Sequence, residues 1–269
     1  MLVDFELSRR LERTEASASA SFVDSRARLR PAAKAEWTEI CGAYLMFDGV
    51  ESPITQTFGL GMFDPVTETD LDRMEAFFRD RGAAVNHEVS PLAGVALHRR
   101  LADRGYVPLE LTSVMCMSLE RRAAVAAPPP GIRVRPTGPE EADLFAQTSA
   151  RGWSELADFR EMIEDLGRIV ASRPEAPGFI AELTADNTPI GTGAFFMHEG
   201  VALLAGASTI PEYRKRGAQK ALLEARLEYS AAHGCTVAMM CAEPGSGSQR
   251  NAQRQGFQIC YTRTKWMRE

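Results

Sequence analysis

The sequence predicts an α/β fold built from two related domains, and three observations support that prediction. Short apolar runs rich in β-branched residues alternate along the chain with amphipathic stretches of helical period. An alanine- and proline-rich run at 123–130 divides the 269 residues, because successive prolines favour an extended spacer. The segments on either side, 1–122 and 131–269, repeat one order of elements, as two copies of one fold would.

The repeat is defined by residues that end or interrupt secondary structure. Each copy runs through a helix, a glycine, a strand, a proline-containing loop, a short helix, a glycine followed by an aromatic residue, and a final strand. Several such matches in one order, at a nearly constant offset, are not expected by chance. The paired positions are Gly82 with Gly234, Pro91 with Pro244, Gly105 with Gly256, and Tyr106 with Phe257.

The first copy is expected to begin irregularly and then to alternate helices and strands. Residues 7–30 have no clean period, with a short strand as one option within 22–30, and a capping box at Thr69 and Asp72 marks a helix start. The expected helices are 32–46, 71–81 and 95–104, and the expected strands are 54–63, 83–89 and 106–119.

The second copy has clearer patterns. A hairpin is expected across Asp186 and Asn187, and Ser248 is expected to cap a short helix that Gly256 ends. The expected strands are 131–135, 178–183, 189–198, 201–210, 236–241 and 257–266, and the expected helices are 139–150, 156–170, 218–232 and 248–255.

Composition excludes several classes of protein. The formal net charge of −5 argues against a general nucleic-acid binder, and no apolar run is long enough to span a membrane. The N-terminus lacks the basic-then-apolar order of a signal peptide, so we expect a cytoplasmic protein. Five scattered cysteines suit reduced thiols better than a disulfide framework, and neither they nor the four histidines have metal-ligand spacing, so no metal site is expected.

The stretch 208–220 carries the strongest chemical signal. It runs from an uncharged strand, through the basic residues Arg214, Lys215 and Arg216, to Gly217 at the start of an amphipathic helix. Unpaired backbone N–H groups at a helix start attract a phosphate, and glycine permits close approach. We interpret this turn as a diphosphate site, the alternative being a solvated basic surface loop. The corresponding stretch of the first copy, 63–70, is acidic and is expected to bind no anion.

With these residues in view, 131–269 resembles the GCN5-related N-acetyltransferase (GNAT) superfamily. The resemblance rests on the strand ending at Thr209 and Ile210, the turn Arg214-Lys-Arg-Gly-Ala-Gln219, the helix after it, and the later Gly-Phe pair. It implies a tandem of two domains, each a mixed, mostly antiparallel, twisted sheet flanked by helices, with the N-terminal one degenerate. It also implies acetyl-CoA, or another acyl-CoA, as cosubstrate.

The resemblance carries over to individual positions. It assigns the diphosphate to 214–219 and the pantetheine arm to backbone near Thr209 and Ile210, with backbone N–H groups near Ile210 polarising the thioester. Asn251 is a further candidate for the cofactor arm, or simply lies on a helix surface. The cofactor-binding candidates are Thr209, Ile210, Arg214, Lys215, Arg216, Gly217, Ala218, Gln219 and Asn251.

Catalytic residues are less clearly marked. Many GNAT proteins have a tyrosine general acid four residues before the Gly-Phe glycine, whereas this chain has Ala252. Ser248, Tyr261 or a water are the alternatives for that role. Glu243, with Glu199 second, is the candidate general base, each with a solvated loop carboxylate as its alternative.

These residues predict an acetyl-CoA-dependent N-acyltransferase that acts by direct transfer on a small-molecule or peptide amine. The alternative is a non-catalytic acyl-CoA sensor or partner-binding module. Trp153 lines an acceptor pocket in one interpretation and packs in the core in the other. The sequence names neither the acceptor nor the oligomeric state.

Overall fold

The computed structural model describes residues 3–120 and 129–269, so most of the predicted 123–130 linker lies outside the described residues. The helices are α1 Phe5–Leu29, α2 Glu68–Arg79, α3 Val95–Asp103, α4 Ala142–Gly152, α5 Arg160–Ala171, α6 Ala218–Ala232 and α7 Gly247–Arg254. The strands are β1 Glu36–Ile40, β2 Ala43–Phe47, β3 Gln56–Phe58, β4 Val85–Val89, β5 Val107–Ser118, β6 Ile132–Thr137, β7 Gly178–Leu183, β8 Pro189–His198, β9 Val201–Thr209, β10 Val237–Ala242 and β11 Gln258–Arg268.

The chain divides into two compact units whose bounds differ from the predicted domains. The first unit is Met1–Met117 together with Met239–Glu269, and the second is Ser118–Ala238. Residues 239–269, predicted to belong to the second domain, thus group with the first copy. The physical reason is strand pairing, because β11 forms antiparallel ladders with both β4 and β5.

The first unit is built on a mixed, mostly antiparallel sheet. Its strand order is β1-β2-β3-β4-β11-β5-β10, with β10 contributing from Met239 onward, and the β3–β4 pair is parallel. Helix α2 starts at a capping box formed by Thr67 and Asp70, two residues before the predicted one. Its apolar side chains Leu71, Met74 and Phe78 are fully buried against the sheet.

The second unit contains an antiparallel run in the order β9-β8-β7-β6. Its core includes an edge-to-face aromatic cluster of Phe179 on β7, Phe195 on β8 and Tyr229 on α6. The predicted hairpin strands 178–183 and 189–198 are confirmed. The mixed α/β class and the mostly antiparallel sheets agree with the predicted fold.

Two predicted elements at the N-terminus are wrong. Residues 5–29 form one helix, which Asp4 caps. The sequence pattern did not reveal this helix, because buried small residues such as Ala16 and Ala20 make its inner face little more hydrophobic than its outer face. The expected helix 32–46 is the β1–β2 hairpin. Cys41 and Gly42, at φ 50° and 72°, form a two-residue turn of the kind that hairpins favour.

The expectation that all cysteines are reduced is wrong for one pair. Cys116 on β5 and Cys260 on β11 form a disulfide with a Cα–Cα distance of 6.5 Å. Cys41, Cys235 and Cys241 are free thiols.

In the described part of the chain, no helix combines the length and apolar character needed to cross a membrane.

Candidate functional site

The turn between β9 and α6 has an unusual backbone. Lys215 adopts φ 65° and Gly217 φ 93°, so the left-handed region is visited twice in three residues. A non-glycine residue rarely occupies this region, and such strain concentrates at functional sites. Successive N–H groups around alternating right- and left-handed residues form a concave anion-binding nest. Exposed Lys215, Arg216 and Lys220 add positive charge around it.

The start of α6 is open, whereas that of α2 is closed. Gly217 is the N-cap of α6 and supplies no side-chain hydrogen bond, and the first helical bond runs from Ala221 N–H to the Gly217 carbonyl. At α2, Thr67 accepts from Asp70 N–H and Asp70 accepts from Thr67 N–H. One copy of the fold therefore satisfies donors at its helix start with a capping box, whereas the N-cap residue of α6 supplies no side-chain acceptor.

The side chain of Arg214 is engaged with protein groups. Its Nε donates to the Thr209 carbonyl at 3.1 Å, its NH2 donates to the Gly152 carbonyl at 3.0 Å, and its NH1 pairs with Glu155. The Arg214 hydrogen bond lowers the pKa of Glu155 to about 2. Arg214 therefore fixes the end of β9 against the end of α4. Its guanidinium is bonded to protein groups, whereas the sequence predicted that it would bind a diphosphate.

The neighbouring candidates also have internal partners. Gln219 Nε2 donates to Thr209 Oγ1 at 2.9 Å, which links the first turn of α6 to the end of β9. The backbone N–H of Ile210 donates to the Ile190 carbonyl at 2.9 Å. This N–H is therefore used within the sheet, and the prediction that N–H groups near Ile210 polarise a thioester rests on the other backbone donors of this segment.

A β-bulge in β9 was missed by sequence reasoning. The β8–β9 register shifts between Thr192 and Ala194, and Gly206 adopts φ 53°. Ala205 and Gly206 are exposed although they lie within a strand. Because a bulge takes backbone groups out of the ladder, this segment offers donors that a regular strand does not. Gly206, which interrupts an otherwise apolar run, was the feature of the sequence that could have predicted this bulge.

Arg226 on α6 stabilises the bulge from beneath. Its side chain is buried, and NH1 donates to the Ala194 carbonyl at 2.9 Å and to the Ala205 carbonyl at 3.2 Å. Burial lowers the pKa of Arg226 to about 10. Gly193 leaves room for the guanidinium, since a Cβ there would lie 2.8 Å from its central carbon. The guanidinium thus holds β8 and β9 together where their register changes.

A cavity of about 190 Å³ opens beside the end of β9. Its walls come from the end of α4, the start of α5 and the segment that follows Ile210. Trp153 is 39% exposed and lines this cavity, so the acceptor-pocket interpretation fits it better than core packing. Arg151, Ser154, Arg160 and Glu212 supply polar lining.

The segment that contains this turn and this cavity matches a known protein family. Residues 142–257 match the model described as the acetyltransferase (GNAT) family. This segment is a GNAT domain. The match covers less than half of the chain, and a search of curated proteins found no match.

Several solved structures share the fold of this chain at low sequence identity. A GCN5-related N-acetyltransferase from Kribbella flavida is 14% identical with a TM-score of 0.65, covering 92% of this chain and 95% of that one. One from Sphaerobacter thermophilus is 16% identical with a TM-score of 0.57, covering 94% and 93%. A tandem GNAT protein from the clavulanic acid biosynthesis pathway is 15% identical with a TM-score of 0.61, covering 84% and 78%. At such identities the likeness concerns the fold.

Apart from Glu199, which lies in the second unit, the remaining GNAT candidates lie in 239–269 and belong to the first compact unit. Glu243 is exposed in the loop after β10. The N-cap of α7 is Ser246, whose side chain accepts from Gln249 N–H at 3.1 Å, so the predicted cap at Ser248 is wrong. Ser248 and Asn251 are exposed on α7, where Asn251 Oδ1 accepts from Arg254.

Tyr261 lies in a buried polar network of the first unit. Its hydroxyl donates to Glu12 Oε1 at 2.7 Å, and Arg263 pairs with Glu12 and Glu15. Burial and the Glu12 carboxylate raise the pKa of Tyr261 well above its usual range. Burial also raises the pKa of Glu12, although Arg263 opposes the shift. A phenol held this way is a poor proton donor near neutral pH.

The position of the usual GNAT tyrosine is closed. Ala252 is 2% exposed on α7, so a larger side chain there has no room without repacking.

Among the described residues, no group of three or more His, Cys, Asp or Glu side chains is arranged to hold a metal ion.

Proposed function

We propose that the chain transfers an acetyl group from acetyl-CoA to an amine by direct attack on the thioester. The observation that carries the proposal is the uncapped start of α6, reached through the left-handed residues Lys215 and Gly217 and flanked by basic side chains. Acetyl-CoA supplies an activated acyl group and a diphosphate. The N–H groups of 217–219, with Lys215 and Arg216, suit the diphosphate.

The other residues of this site have positioning roles in the proposal. Arg214 sets the turn, while Thr209 and Gln219 tie it to β9. The arm of the cosubstrate follows the end of β9, and the bulge at Gly206 offers the polarising donors in place of Ile210 N–H. Ala218 is buried beneath the first helical turn and contributes its backbone alone.

Proton transfers are assigned to exposed groups near neutral pH. A protonated amine must lose a proton before attack, and Glu243, with Glu199 second, remains our candidate base. Ser248 or a water is the candidate donor to the departing thiolate, with Tyr261 disfavoured by its buried hydrogen bond to Glu12. Asn251 remains a candidate contact for the cofactor arm. The cytoplasmic location also remains a prediction.

Gly217→Glu tests the cofactor site. A carboxylate at the helix start repels the diphosphate, and a Cβ there would lie 2.6 Å from Pro129 Cγ. We expect acetyl-CoA affinity, measured by calorimetry, to fall by about 100-fold or more, because several charge-assisted hydrogen bonds are lost.

The control is Gly234→Glu at the other end of α6. It imposes the same strain at φ 82°, but a Cβ there meets nothing within 4 Å. Arg216→Glu reverses a charge without backbone strain and should also weaken binding. Wild-type affinity in folded Gly217→Glu and Arg216→Glu proteins would show that the diphosphate site is elsewhere.

A non-catalytic acyl-CoA sensor is the second candidate, favoured by the buried Ala252 and by the occupied Ile210 N–H. CoA release, measured over a panel of amines, separates the two functions. Turnover of any amine above the hydrolysis rate supports the transferase. Tight binding of acetyl-CoA without turnover supports the sensor.

A further inference from the structure

The cavity beside the end of β9 has walls of fixed geometry. Arg214 joins the Gly152 carbonyl to the Thr209 carbonyl and pairs with Glu155. These contacts hold the end of α4 against the strand that, in the proposed function, carries the acyl end of the cosubstrate. The cavity therefore lies beside the strand that the cosubstrate follows in the proposed function.

Two arginines of this cavity differ from several other arginines of the second unit. Arg151 and Arg160 have no ion pair within the described residues, and both are exposed where they line the cavity. Two exposed guanidinium groups that line one cavity make it positively charged, which favours an anionic group in the ligand. The arginines of this unit that do pair with carboxylates are Arg133, Arg135, Arg168 and Arg214.

The rest of the lining defines the other parts of a ligand. Among the described residues, Glu212 is the one carboxylate that lines the cavity, so the described lining carries a net positive charge. Trp153 presents an exposed ring and Ile210 an aliphatic wall. An aromatic or aliphatic body would bury apolar surface there, while Glu212 would attract an ammonium group.

The cavity volume limits the size of the group that enters. At about 190 Å³ it is smaller than the roughly 300–1,000 Å³ typical of sites for drug-sized ligands. It admits one group of amino-acid size. An extended polycationic acceptor would fit neither the size nor the charge.

We infer that this cavity binds the acceptor, and that the acceptor is a small primary amine with an apolar body and an anionic group, which Arg151 and Arg160 bind. This inference rests on the proposed function and names the substrate class of that site. Arginine suits either a carboxylate or a phosphate, because its planar fork donates two parallel hydrogen bonds to both. Glu212 faces the ammonium end.

The first test measures CoA release with matched amines that differ by one anionic group. Phenylalanine is compared with phenylalaninamide and phenethylamine, and O-phosphoethanolamine with ethanolamine, so that carboxylate and phosphate are distinguished. We expect the anionic member of a pair to be the better acceptor. Preference for the members that lack the anionic group would overturn the inference.

Variants then test the two arginines. For an anionic acceptor, Arg151→Gln and Arg160→Gln should each raise KM by about 10-fold, the effect of losing one charge-assisted hydrogen bond, with little change in kcat. The Kd for acetyl-CoA should stay unchanged. Arg99→Gln removes the same charge from an exposed site on α3 and is the control. Equal KM values in all three variants would contradict the assignment.

Direct binding separates this inference from the proposed function. If no amine is turned over, the transferase proposal fails, and saturation-transfer NMR with phenylalanine and phenyl phosphate still tests the cavity. Binding that the Arg151→Gln/Arg160→Gln double variant loses and Arg99→Gln retains supports the anion site. Absence of binding to the wild-type protein, or equal binding of phenethylamine, overturns it.

Discussion

His87 on β4 shows how burial sets the charge of a single residue. Its side chain is fully buried, with Nε2 3.1 Å from the Tyr106 hydroxyl. Burial lowers the pKa of His87 to about 4, although Glu75 opposes the shift. The imidazole is therefore neutral in the folded protein at pH 5, where an unfolded chain would hold it protonated.

This difference predicts a loss of stability in acid. Between pH 6.5 and 4 the unfolded state binds more protons at this position, so the free energy of unfolding falls as the pH falls. From pH 7 to 5 the loss attributable to His87 is about 2 kcal/mol. His87→Gln keeps a polar partner for Tyr106 but does not titrate. Urea unfolding at both pH values should show a smaller drop for the variant, and equal drops would refute the assignment.

At the same scale, the sequence predicted the turn before α6 but not the partners of its side chains. Gly217 could be predicted because a glycine that follows basic residues at a helix start favours an anion site. The contacts of Arg214 with Gly152 and Glu155 could not, since these residues lie about 60 positions earlier in the chain. A local pattern identifies a backbone conformation, whereas a long-range contact depends on which elements pack together.

At the scale of elements, the close approach of α4 to β9 shapes the candidate site. A Cβ on Gly152 would overlap Ser208 Oγ and lie 2.6 Å from Ser208 Cβ. Ser208 is buried and its Oγ donates to the Ser149 carbonyl, so it has little freedom to move. The glycine thus sets the distance at which the helix meets the strand.

Gly152→Ala should therefore destabilise the protein. Alanine gains up to about 1 kcal/mol in helix propensity, but overpacking costs about 1–3 kcal/mol, and the fixed position of Ser208 makes the steric cost dominant. We expect a net loss of about 1–2 kcal/mol by urea unfolding. Gly247→Ala on α7, where the nearest atom is 4.0 Å away, is the control and should be neutral or stabilising. Unchanged stability of Gly152→Ala would mean that α4 can shift freely.

Elements with a strong hydrophobic pattern were predicted closely, whereas elements whose two faces differ little in hydrophobicity were not. The strands β7 and β8 have the expected bounds because apolar runs flanked by turn residues mark them clearly. Helix α1 was not predicted because alanine, serine and threonine fill much of its buried face. The β1–β2 hairpin was missed because Trp37, Ile40 and Tyr44 mimic helical spacing, although Trp37 and Tyr44 in fact stack across two strands.

At the scale of the whole molecule, the two halves of the sequence are not the two compact units. The family match covers 142–257, yet residues from Met239 onward pack with the first copy. Strand β11 lies between β4 and β5, and its Arg263 pairs with Glu12 and Glu88. Each half therefore depends on the other for part of its hydrogen bonding.

Separate expression of 1–122 and 131–269 tests this dependence. The first fragment would expose the edges of β4 and β5 and leave Glu12 and Glu88 buried without Arg263, a costly loss of ion-pair partners. The second would leave β11 unpaired. We expect neither fragment alone to unfold cooperatively by circular dichroism, and co-expression to restore a cooperative transition. A cooperative transition in either isolated fragment would contradict the prediction.

The sequence by itself determined the α/β class, the repeated fold and the basic turn at the start of α6. Those features are set by local periodicity, by glycines at positive φ and by charge close along the chain. Only the tertiary structure decided that β11 completes the first unit, that Ile210 N–H is already used, and that Arg151 and Arg160 line one cavity with Trp153. The physical reason is that these outcomes depend on backbone and side-chain pairing between residues far apart in sequence, which no local pattern encodes.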